Sequence, residues 1–119
     1  MPDWSIKIVL DDKGKTWFLP DLQGGKGDPL NAQQDDLVSW NNTTQDTHQP
    51  WPTDDQHNPV DPSKVPRGSA TYMSDPIPAG DSSRPAYDTS ELGTIYYCCL
   101  IHQTELTERG TIIVTAVPT

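Results

Sequence analysis

Cysteine is scarce in this chain: two in 119 residues, side by side at Cys98 and Cys99. A disulfide between neighbours closes only a tiny ring, so the pair excludes a framework of bridges stapling distant loops and calls for another explanation. Basic residues are also few, with 8 Lys and Arg against 17 Asp and Glu and a formal net charge of −9. That balance argues against a duplex, a phosphate backbone or an anionic membrane as partner. Long apolar runs are missing: the longest, 95–101, has the length of a strand, far short of the roughly 18 residues of a membrane span. The opening Met1-Pro2-Asp3-Trp4 has neither the basic nor the apolar region of a secretory signal, which fits a cytosolic protein or one whose signal has been removed.

Proline and glycine are plentiful instead, 12 and 8 residues, and they leave little room for long helices. Short segments rich in β-branched and aromatic residues, bounded by turn residues, predict strands over 5–10, 16–19, 37–40, 94–100 and 111–117. Asp11-Asp12-Lys13-Gly14 reads as the turn joining the first two. Between Asn41 and Gly93 lies a stretch dense in Pro, Asp, Thr and Ser, expected to be mostly loop, with 70–73 and 84–87 as further short strands. The Gly-rich segment 23–28 lacks the Gly-Lys-Ser/Thr ending of a phosphate loop and reads as a surface loop. At this length one domain is expected over 1–119, with a Pro/Asp-rich loop insertion around 43–69.

The residues able to bind a borderline metal are few: His48, His57, His102 and the two cysteines. Cys99 and His102 are three apart at the end of a strong predicted strand, and His48 follows the end of another. If the two strand ends meet at one pole, a thiolate and two imidazoles converge, the ligand set of a copper electron-transfer centre. Each residue also has an ordinary reading, since a strand cysteine commonly packs in a core and a lone histidine is commonly a solvated polar residue. Zinc accepts the same donors. His57, in Asp54-Asp55-Gln56-His57, reads either as a second-site ligand with Asp54 or Asp55 or as a loop histidine with its pKa raised by the neighbouring acids. Trp51 reads as a shield for that pole, a partner contact or a cap on the core. No Ser-His-Asp or His-Glu-x-x-His pattern supports an enzyme.

The run Gly93-Thr94-Ile95-Tyr96-Tyr97-Cys98-Cys99-Leu100-Ile101-His102, followed by Gly110-Thr111-Ile112-Ile113-Val114, resembles the C-terminal signature of the cupredoxins, small copper proteins of the plastocyanin and azurin type. Upstream, Asp36-Leu37-Val38-Ser39-Trp40-Asn41-Asn42 resembles the family's Asp-x-Val-x-Trp-x-Asn, which precedes its first histidine ligand, here His48. Ile77-Pro78-Ala79-Gly80-Asp81 looks like its Pro-x-Gly turn. The resemblance spans nearly the whole chain. It implies an all-β, cupredoxin-like Greek-key β-sandwich of about seven or eight strands, one copper ion held by His48, Cys99 and His102, and Cys98 facing away from Cys99 as a packing residue.

The chain departs from the family where a methionine stands two residues before the closing glycine, because that position is Glu108. Glu105 and Thr107 are the alternatives in a shorter loop register, and water or no axial ligand is the outcome if Glu108 is solvated and pairs with Arg109. A carboxylate in place of a thioether exchanges a soft donor for a hard anionic one, which stabilises Cu(II) and lowers the reduction potential, and the resemblance to cupredoxins with a carboxylate ligand implies a colour moved from blue toward green or red. The resemblance thus implies a monomeric one-electron carrier, extracytoplasmic or periplasmic rather than cytoplasmic, whose acidic surface suits a basic redox partner such as a cytochrome. The missing methionine and the polar loop 103–109 motivate a second expectation, a copper storage, delivery or sensing module.

Overall fold

The computed structural model describes residues 3–21 and 24–117, and within them eight strands divide between two four-stranded sheets. They are β1 (Asp3–Leu10), β2 (Thr16–Pro20), β3 (Leu30–Gln33), β4 (Leu37–Asn42), β5 (Pro50–Thr53), β6 (Tyr87–Asp88), β7 (Gly93–Cys99) and β8 (Arg109–Thr115). One sheet has the order β2-β1-β4-β6, the other β3-β8-β7-β5. The β1–β4 and β3–β8 pairs are parallel and the others antiparallel. The chain therefore changes sheet repeatedly, as a Greek-key sandwich requires. No helix among the described residues is long and apolar enough to cross a membrane.

Alternation builds the core. In β4 and β8 every second residue is buried, which points Val38, Trp40, Ile112 and Val114 inward, where Ile6, Ile8, Phe18 and Leu30 meet them. Tyr97 lies at the centre, with its ring edge-on to Phe18 at 4.8 Å and to Trp40 at 5.4 Å. Its cross-strand partner is Gly110, and a Cβ there would overlap the Tyr97 ring. Asp36 is buried before β4 and accepts hydrogen bonds from Trp4 Nε1 at 2.8 Å and Gln33 N at 2.9 Å, tying β1 to the β3–β4 turn.

The five expected strands are present, with ends shifted by up to two residues. Leu100 leaves the sheet into a 3-10 turn, Leu100–His102. Strand β3 adds to the five, and β5 falls within the stretch expected to be mostly loop. The prolines of Pro50–Thr53 argue against a central strand, and β5 is indeed an edge strand, where missing N–H groups cost no ladder bond. Residues 70–73 form no strand, although Met73 is fully buried, and of 84–87 only Tyr87 enters β6. The Asp11 turn is present, its carboxylate accepting from the Lys13 and Lys15 amides. Gly24–Asp28 is loop, its Gly25 amide donating to Asp28, while Gln23, like Met1 and Pro2, lies outside the described residues.

Candidate metal centre

Two connections meet at one end of the sandwich. The β4–β5 connection carries His48, whose backbone exchanges hydrogen bonds with Ile77 at 3.1 and 2.7 Å. The β7–β8 connection begins at Cys99 and turns through Leu100–His102. It continues with the Glu105 amide donating to the His102 carbonyl and the Glu108 amide to that of Glu105. The Cys99 amide then closes the loop on the Glu108 carbonyl at 3.1 Å. The two connections are stitched together where the Leu100 amide donates to the Gln49 carbonyl at 2.9 Å.

This backbone brings His48, Cys99, His102 and Glu108 into one group, with one potential ligand atom from each and all of them within 4.8 Å of one another. Cys99 Sγ lies 3.6 Å from His48 Nδ1 and 3.4 Å from His102 Nδ1. Glu108 Oε1 lies 3.0 Å from both ring nitrogens. A zinc-sized ion holds thiolate, imidazole and carboxylate donors at about 2.0–2.3 Å, which sets such atoms roughly 3–4 Å apart, so these four separations of 3.0 to 3.6 Å fit one shared ion. The site is buried except at one edge: the His48 and Glu108 side chains are 1% and 6% exposed, the His102 side chain 31%. An open depression of about 220 Å³, lined by Lys15, Asp46, His102, Glu105 and Glu108 among others, lies at that edge.

Burial disfavours a charged His48 ring. Hydrogen bonds to Cys99 and Glu108, reinforced by their charges, outweigh burial and raise its pKa from 6.5 to about 9 in the metal-free chain. Cys99 Sγ also accepts from the Gln49 amide at 3.4 Å. Glu108 is not solvated and its carboxylate faces the two rings, so the alternative of a solvated Glu108 paired with Arg109 does not hold. Glu105 instead lies 3.8 Å from Lys15 at the surface, and Thr107 Oγ1 is buried without a hydrogen-bond partner among the described residues.

Cys98 points to the opposite face of its sheet, opposite Trp51 and Arg109. It is 1% exposed, and burial, with the nearby Cys99 charge, pushes its thiol up to about 11. Trp51 shares that outer face, donates to the Val60 carbonyl at 2.8 Å and packs edge-on to Tyr72 at 5.6 Å. It therefore covers the outside of the sheet and neither shields Cys99 nor caps the central core. His57 joins no metal-binding group among the described residues; its ring packs on Tyr96 at 5.5 Å. Its pKa is lowered, by burial first and by the Arg109 charge second, which corrects the raised value expected from the flanking acids. Sequence reasoning missed Thr44 and Asn42, buried polar residues behind His48, although Asn42 closes the Trp-x-Asn motif.

Neither the protein-family models nor the curated proteins include a match to this chain. Solved structures do resemble it. A purple cupredoxin from Nitrosopumilus maritimus is 19% identical with a TM-score of 0.67, over 93% of this chain and 98% of that one. Oxidised plastocyanin from Dryopteris crassirhizoma is 15% identical with a TM-score of 0.60, over 93% and 99%. The multicopper oxidase mgLAC is 20% identical with a TM-score of 0.50 over 98% of this chain, which spans 39% of that one. The two-sheet topology and these likenesses together identify the fold of this chain as that of the cupredoxins.

Proposed function

We propose that this chain, acting as one monomeric cupredoxin domain, holds a single copper ion through His48, Cys99, His102 and Glu108 and carries one electron. The observation that carries this reading is the convergence of a cysteine sulfur, two imidazole nitrogens and a carboxylate oxygen within 4.8 Å, on a fold shared with plastocyanin and a purple cupredoxin. Copper, when bound there, supplies a couple that gains and loses one electron.

The protein's part is to hold the donors still. Cys99 and Glu108 are locked by their backbone bond, and His48 is wedged against Ile77, so the donor set changes little between oxidation states. Glu108 contributes a hard anionic oxygen, which favours the oxidised ion and a low potential, with a colour away from blue. His102, alone of the four in reaching solvent to a substantial extent, is the edge through which an electron enters and leaves. The net charge of −9 favours a basic redox protein as partner, with exchange that slows as salt rises. A thiolate copper site is best kept outside the cytoplasm.

A second reading, copper storage or delivery, is favoured by the depression that opens on His102 and Glu108 and offers a path for metal exchange. Titration of the metal-free protein with copper(II), followed by visible absorption and electron paramagnetic resonance, tests the first. An intense thiolate-to-copper band that vanishes in Cys99→Ser, with a reversible couple and fast electron exchange, is expected. A band with slow exchange and ready metal release favours storage; no band refutes the electron carrier, and no copper(I) or copper(II) retained after gel filtration refutes both.

A further inference from the structure

Behind the His48 ring, on the side away from Cys99 and Glu108, Nε2 lies 3.0 Å from Thr44 Oγ1. Thr44 is 3% exposed, and its hydroxyl has one proton to give. The shortest contact of that hydroxyl is to Asn42 Oδ1 at 2.7 Å, with the Asp46 carbonyl at 3.2 Å. Both of these oxygens are acceptors only.

The Asn42 amide cannot be turned round. Its Nδ2 donates to the Asp46 carbonyl at 2.7 Å and the Ile77 carbonyl at 3.0 Å, and approaches that of Pro78 at 3.3 Å. Its Oδ1 also accepts from the Thr44 amide at 3.0 Å. A flipped amide would face three carbonyl oxygens with an oxygen and the Thr44 amide with an NH₂ group. The Thr44 proton is therefore committed to Asn42, and the Thr44 oxygen is left to accept.

From this chain of donors we infer that Thr44 is a positioning residue: it accepts a proton held on His48 Nε2 and so keeps the Nδ1 lone pair for the metal, with Asn42 holding Thr44 in the accepting role. The inference rests on the metal-site reading above. It gives the asymmetric ring a reason to present Nδ1 rather than Nε2 to Cys99 and Glu108, and it predicts that the ring does not rotate when the metal leaves. Outer hydrogen-bond partners of a ligating histidine are worth about 10–100-fold in metal affinity.

The test uses ¹⁵N-labelled protein. In the metal-free chain above pH 9, long-range ¹H–¹⁵N spectra should show neutral His48 with its proton on Nε2; a proton on Nδ1 overturns the inference whether or not the protein binds metal. Zinc(II) serves as the diamagnetic probe for affinity. Thr44→Val should weaken zinc binding about 10–100-fold and speed exchange of the Nε2 proton, and Thr44→Ser should restore both. Equal zinc affinity in wild type and Thr44→Val overturns it. If the wild-type chain takes up neither zinc nor copper, the metal reading has failed, and the tautomer measurement still decides the role of Thr44.

Discussion

The amide of Cys99 donates to the carbonyl of Glu108 across 3.1 Å. Nine residues apart in sequence, the two are thereby fixed as the opposing ends of one loop, and the carboxylate of Glu108 comes back to within 3.0 Å of both histidine rings. At the position where the family resemblance implies a methionine, the chain thus sets a carboxylate against both rings.

Glu108→Met should raise the reduction potential of the copper-loaded protein and move its absorption toward blue, because a weak thioether replaces a hard anion that favours Cu(II). Glu108→Gln should shift the spectrum in the same direction by less. In the metal-free chain either change removes a buried charge partner of His48 and should cost about 2–3 kcal/mol of stability, read by urea denaturation. An unchanged potential in both variants would show that Glu108 does not coordinate.

The raised pKa of His48 makes the metal-free chain sensitive to alkali. The ring is more basic folded than unfolded, so its contribution to stability is complete below about 6.5 and is lost as the pH rises through about 9. The melting temperature of the metal-free protein should fall over that window, and His48→Gln should flatten this part of the profile. Metal binding must displace the same proton, so apparent affinity should climb with pH across the same range.

Adjacent cysteines should behave as opposites. Cys98, buried on the outer face of its sheet with its thiol pushed up to about 11, should resist alkylation at neutral pH until the protein unfolds. Cys98→Ala should keep the thiolate-to-copper band and cost about 1 kcal/mol from lost packing, whereas Cys99→Ala should abolish the band. Mass spectrometry of the alkylated native protein checks the first claim.

Gly110→Ala places a methyl group where the Tyr97 ring lies, and that ring is held between Phe18 and Trp40. With no room to yield, the substitution should destabilise the fold by about 1–3 kcal/mol. Because β8 begins at Arg109, directly after Glu108, it should also weaken metal binding. Denaturation curves and a copper titration of the variant measure the two effects.

Much of this was legible in the linear chain. The alternation of Val38 and Trp40 in 37–40 marks a strand with one buried face, because side chains repeat every two residues along a strand and a core selects one set. The spacing of Cys99 and His102 marks a donor pair at a strand end. The edge strand Pro50–Thr53 was hidden because its composition reads as a turn, and only its place beside β7 makes it a strand. His57 went the other way: its sequence neighbours are acids, but the fold sets Arg109 near it and buries its ring, and the sign of its shift reversed.

The sequence by itself determined the inventory: which donors exist, which strands alternate, and that a carboxylate replaces the expected methionine. Only the tertiary structure decided which of Glu105, Thr107 and Glu108 faces the rings, and that Thr44 and Asn42 stand behind His48. The reason is physical. Periodicity is a local property of the backbone, while the convergence of four donor atoms from two connections depends on hydrogen bonds between segments about 50 residues apart, which no local pattern encodes.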